Sequence, residues 1–201
     1  MIWTLYGVFL ARCQSIFQKA KALDLQINPA PSENAVKKWT RPATGTSKLN
    51  VDACINESLN RYSIGGVLRD CQGKLLLAFG KQITKPLSVV HGELLAIKEG
   101  VIMIYEKRFQ EVLVASDSVL AVQAVKAIQD DLGYSGICAE EINLLAHAPV
   151  ISDLVYEPRV TNKVAHQVAN FASSSPSPFI WMNGDFPLWL VELVMINDYS
   201  S

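Results

Sequence analysis

Apolar and polar positions alternate along residues 48–55. Leu49, Val51 and Ala53 fall on one face of a strand, and Lys48, Asn50, Asp52 and Cys54 on the other. Residues 62–69 and 74–80 read as two further strands, and the intervening RDCQGK carries the Asp and Gly of a hairpin loop. Three strands with connections this short make an antiparallel meander. The period then changes. Residues 89–106 (VVHGELLAIKEGVIMIYE) repeat apolar positions at helical spacing, and 111–116 (EVLVAS) is the continuous apolar run of a central, covered strand. Residues 118–128 and 136–148 read as helices, 150–158 alternates again as a strand, and 162–173 is a last helix with Asn162 as N-cap. The order βββαβααβα predicts an α/β fold: a mixed five-stranded sheet with helices on both faces.

The flanks read differently. The opening MIWTLYGVFLA is shorter than the ~20 apolar residues a membrane span needs and lacks the basic start of a secretory signal. It begins an amphipathic helix over residues 1–27, and no membrane partner is expected. Residues 28–47 hold three prolines and read as a linker, 48–175 as the domain, and 176–201 as a C-terminal tail. The apolar stretch of that tail has a competing reading as an assembly surface. Half of the 201 residues are hydrophobic and 18% are charged, the composition of a core-forming chain. A net charge of −1 excludes a globally basic surface, so any nucleic-acid partner must be held by a local patch. Cys13, Cys54, Cys71 and Cys138 are scattered, which argues against a zinc site or a disulfide framework and fits an intracellular compartment, nucleus or cytoplasm.

Three acids stand out by position. Asp52 lies inside the first strand, where an unpaired charge is costly. Glu93 shares a helical stripe with Ile97, Gly100 and Ile104, and Gly100 would allow close approach to the sheet. Asp117 follows a central strand at its carboxyl end, where open α/β sheets collect ligands. If they converge, a hard divalent cation, Mg²⁺ or Mn²⁺, relieves their repulsion. Two such ions ~4 Å apart suit a phosphodiester displacement. Two of the acids also have an ordinary reading, Asp117 as a helix cap in SDSVL and Glu93 as a first-turn acid favoured by the helix dipole, whereas a lone acid on a short central strand has few such roles.

KLNVDA, GGVLRDCQGKLL, GELLAIKEGV, VASDS and EPRVTNKVAHQVANFA occur in this order. Together they resemble the plant ribonuclease H-like domain that accompanies non-LTR retroelement reverse transcriptases and also occurs as free-standing genes. KKWTRPATGTSKLNVDA resembles that family's entry and FPLWLVELVMIND its C-terminal end, so the resemblance runs from Trp39 to Asp198. It implies the ribonuclease H fold and, by likeness to type 1 ribonuclease H, cleavage of the RNA strand of RNA–DNA hybrids with Mg²⁺ or Mn²⁺. Asp52 would then be the strand-one ligand, Glu93 the helix ligand and Asp117 the acid after the fourth strand. Active members usually carry a fourth acid in the last helix. Here His166 takes that place, as is common in the plant family, and imidazole suits magnesium less well than carboxylate does.

Substrate contacts are sparse in the sequence. Asn56 and Asn162 are candidates for minor-groove 2′-hydroxyls, and Arg159 and Lys163 for phosphates. No lysine or arginine occurs between Gly133 and Tyr156, and the loop EPRVTNK has no histidine, unlike the bacterial enzymes. The sequence therefore carries two readings: a monomeric metal-dependent ribonuclease acting on RNA–DNA hybrids, or a catalytically weak or inactive retroelement-derived domain that binds nucleic acid or a protein partner.

Overall fold

The alternation at the start of the domain becomes strand β1 (Ser47–Asn56), and both of its faces are covered. The structure is a computed structural model and describes residues 38–56, 60–86, 88–129 and 150–199. The expected N-terminal helix, most of the linker, the helix at 136–148, Cys13, Cys138 and His147 lie outside the described residues.

The meander follows as β2 (Arg61–Arg69) and β3 (Leu75–Ile83), antiparallel to each other and with β2 antiparallel to β1. Asp70 closes the hairpin: its Oδ1 accepts from the backbone N–H groups of Gln72 and Lys74, and Gly73 supplies a φ of +85°. Helix α1 (Val89–Glu106) then crosses the sheet and returns the chain to β4 (Val112–Ser116), which pairs in parallel with β1. After helix α2 (Val119–Gln129), β5 (Ile151–Tyr156) pairs in parallel with β4, and helix α3 (Lys163–Ser174) covers the opposite face.

Among the described residues the sheet has six strands, in the order β5-β4-β1-β2-β3-β6, where the sequence pattern predicts five. The sixth, β6 (Phe179–Met182), comes from the segment read as a tail and lies antiparallel on β3. Helix α4 (Leu188–Tyr199) follows it. The pattern hid this strand because only four residues pair. What secures them is aromatic packing: Phe179 and Trp181 stack at 4.0 Å between ring centroids, with Phe171 and Trp189 against them.

Two cores result. Leu49, Val51, Leu68 and Phe79 pack under Ile97 and Ile104 on the α1 side, while Val67, Ala78, Val168, Leu190 and Val194 pack between the sheet, α3 and α4. Gly100 performs its expected role, since a Cβ there would lie 2.9 Å from both Leu49 Cδ2 and Val51 Cγ1. On the other face, Asp52, Gly65 and Gly80 are cross-strand neighbours in one row. Over that row α3 lays Ala169 and Ala172, and Ser63 Oγ donates to the Ala169 carbonyl at 2.6 Å.

Candidate metal centre

Parallel pairing of β1 with β4 sets Val51 opposite Ser116, so Asp117, one residue past the end of β4, arrives beside Asp52. Helix α1 brings Glu93 to the same end of the sheet. Carboxylate oxygens of Asp52, Glu93 and Asp117 lie within 4.8 Å of one another, which makes them the metal-competent cluster among the described residues. Asp52 and Glu93 are only 2% and 6% exposed. The ordinary readings of the two helix-associated acids do not hold. Ser118, not Asp117, accepts the N–H of Ala121 at the start of α2, and Ser88 caps α1 by accepting from His91. Glu93 lies beyond the first turn, which contains no acid.

Burial and mutual repulsion shape the electrostatics. Burial first, and then the charges of Asp52 and Asp117, push the Glu93 carboxyl up to about 9. Asp117 is pushed up to about 6 by burial, by the Asp52 charge and by a hydrogen bond shared with Asp52. Opposing both shifts is the guanidinium of Arg159, an exposed residue whose charge reaches the cluster. His166 Nδ1 lies 2.7 Å from Asp52 Oδ2, and this bond raises the imidazole above its ordinary value. Where the resemblance expects a fourth acid, the chain therefore has a histidine directed at the first one.

The four substrate candidates separate. Arg159 and Lys163 are exposed on the 157–163 segment beside the cluster, and Asn56 is half-buried at the end of β1. Asn162 is a correction. It is 1% exposed, its Nδ2 donates to the Val51 carbonyl at 2.9 Å, and its Oδ1 accepts from Asn50 at 3.0 Å. It precedes α3 in the N-cap position, yet its side chain makes no cap bond, because the amide is spent on β1. Sequence reasoning also missed Glu157, Lys48 and Asn50, which meet in a buried cluster. Glu157 and Lys48 are 109 residues apart, and no local pattern links them.

The donor set fits a hard divalent cation. It consists of carboxylate oxygens, and the repulsion that raises Glu93 and Asp117 is what such a cation offsets. Because both folded-state values lie above the ordinary ones, these groups support folding fully only below about pH 4. That support is lost as pH rises through 6 for Asp117 and then through 9 for Glu93. In EDTA, Tm should therefore fall by roughly 5 °C or more between pH 5 and pH 9. Adding Mn²⁺ should recover most of that loss at the alkaline end. Thermal unfolding across this range with and without Mn²⁺ checks both statements; a Tm that rises with pH in EDTA contradicts the first.

A mixed sheet with an antiparallel β1–β2–β3 meander, parallel β4 and β5, and three converging acids defines a ribonuclease H-like domain. The family described as reverse transcriptase-like matches residues 50–172, more than half of the chain, and the chain belongs to that family. It is 30% identical over 141 residues to an Arabidopsis thaliana protein provisionally named a ribonuclease H protein. The match covers 68% of this chain, and the chain spans about a fifth (22%) of that relative's length. Among solved structures, RNase H1 of Halobacterium salinarum superposes with a TM-score of 0.51 at 18% identity, covering 64% of this chain and 97% of that one. A foamy viral protease–reverse transcriptase, solved in complex with an RNA/DNA hybrid, superposes at 0.50 with 12% identity, covering 73% and 23%. At these identities the structures share the fold.

Proposed function

We propose that this chain is a nucleic-acid-binding domain that hydrolyses the RNA strand of RNA–DNA hybrids, with Mg²⁺ or Mn²⁺ held by Asp52, Glu93 and Asp117. The observation that carries the reading is the convergence of the three carboxylates within 4.8 Å at one end of the sheet. The family and the hybrid-bound foamy viral neighbour support the choice of substrate. When bound, the cation supplies positive charge that polarises a phosphoryl oxygen and offsets charge developing on the leaving oxygen. The chain's own residues do the rest. Arg159, exposed beside the acids, presents a planar fork suited to a backbone phosphate. Lys163 and Asn56 extend that contact along the strand and at its 2′-hydroxyls. His166 orients Asp52 through Nδ1.

Purified protein should cut a labelled hybrid in Mg²⁺ or Mn²⁺ and stop in EDTA. A second reading rests on one contact, the bond from His166 to Asp52, which occupies an oxygen of the first ligand. On that reading the domain binds nucleic acid without cutting it. Hybrid binding that is unchanged by EDTA, together with no cleavage in either cation, would establish the second reading and exclude the first.

A further inference from the structure

Glu157 is 8% exposed and stands outside the cluster of Asp52, Glu93 and Asp117. Its Oε1 accepts from Lys48 Nζ at 2.6 Å and its Oε2 from Asn50 Nδ2 at 2.6 Å. Asn50 Nδ2 also donates to Asn162 Oδ1 at 3.0 Å, and Asn162 Nδ2 donates to the Val51 carbonyl at 2.9 Å. The backbone adds two struts: Glu157 N–H donates to the Ser116 carbonyl at 2.9 Å, and His166 N–H to the Asn162 carbonyl at 3.1 Å.

These bonds end beside the metal centre at every turn. Val51 precedes Asp52, Ser116 precedes Asp117, and Asn162 lies one helical turn before His166. Ser116 Oγ in turn faces Glu93 Oε2 at 3.5 Å. A buried charge pair of this kind is a poor source of stability, because apolar side chains of similar volume serve as well or better. Its consequence is geometric. It ties β1 and, through Asn50, the start of α3 to one carboxylate, while the backbone N–H of the same residue holds the end of β4.

We propose that Glu157 is a positioning residue. Through Asn50 and Asn162 its carboxylate holds Asp52 and His166 in the arrangement that a divalent cation requires; this rests on the metal-dependent reading above. Partners one bond removed from metal ligands commonly change affinity by 10–100-fold when altered.

The test is Mn²⁺ binding by the full chain, followed through the electron paramagnetic resonance signal of free Mn²⁺. Three variants are compared with wild type: Glu157→Gln, the pair Lys48→Met with Glu157→Leu, and Leu190→Ala in the distant α4 core. The double variant removes both charges together, whereas the single change takes only the counter-charge from Lys48, whose Nζ keeps its bonds to Thr40. Mn²⁺ affinity should fall roughly 10–100-fold in both Glu157 variants and stay at the wild-type value in Leu190→Ala, even where that variant melts lower. Folded Glu157 variants that bind Mn²⁺ as tightly as wild type overturn the positioning role and leave the metal centre standing. Wild-type protein that binds no Mn²⁺, or binding that Asp52→Asn leaves unchanged, overturns the metal reading and this proposal with it.

Discussion

Asp52→Asn is expected to lower the rate of hybrid cleavage by on the order of 10³-fold or more, because it removes a central charge from a preorganised, water-poor site. Asp52 is the hub of the cluster. It is hydrogen-bonded to His166, shares a hydrogen bond with Asp117, and its charge acts on Glu93. The replacement is isosteric and Asp52 is buried in β1, so the fold should persist. Two further readouts separate lost charge from lost structure. The bond to Asp52 is the largest influence raising His166, so the imidazole should return toward its ordinary value in the variant, followed by the pH dependence of its NMR resonances. After burial, Asp52 is also the largest influence raising Glu93 and Asp117, so the fall of Tm with pH in EDTA should become shallower. A folded variant that cuts hybrid at the wild-type rate contradicts the assignment.

Gly65→Ala should destabilise the fold by about 3 kcal/mol or more. Gly65 lies directly across from Asp52 on β2, and a Cβ there would meet the backbone of α3: Ala169 N at 2.6 Å, Ala169 Cα at 2.8 Å and Val168 C at 2.9 Å. A helix backbone cannot swing aside as a side chain does, so α3 must lift from the sheet. Lifting it also opens the 2.7 Å contact from His166 to Asp52. Gly80, the next position in the row, is a useful comparison. Its added Cβ would meet the Phe179 ring at 2.5 Å and Ala172 Cβ at 2.8 Å, side-chain atoms where Gly65 faces helix backbone, so its loss should be the smaller of the two. Urea unfolding of both variants checks the order. A loss for Gly65→Ala no greater than for Gly80→Ala contradicts the close helix–sheet seam.

The resemblance reached the three acids because each stands within a local block whose period is legible: Asp52 in an alternating strand, Glu93 on a helical stripe, Asp117 after an apolar run. The pattern leaves ordinary roles for Glu93 and Asp117 open, and the caps, Ser88 and Ser118, close them. Which serine caps which helix depends on a difference of one or two residues, finer than the apolar period resolves. Asn162 shows the opposite failure. An asparagine before a helix reads as a cap or as a solvent-facing donor, and nothing nearby reveals that the Val51 carbonyl, 111 residues away, claims its amide.

By itself the chain's pattern determined the meander, the parallel units that follow it and the end of the sheet where acids gather. Those features rest on periods of 2 and 3.6 residues, which act over short distances along the backbone. Tertiary structure alone decided the sixth strand, the glycine row beneath α3, the contact between His166 and Asp52, and the burial of Glu157 with Lys48. Each of these joins residues far apart in sequence, and their energies come from packing and desolvation that exist only once the sheet and its helices close on one another.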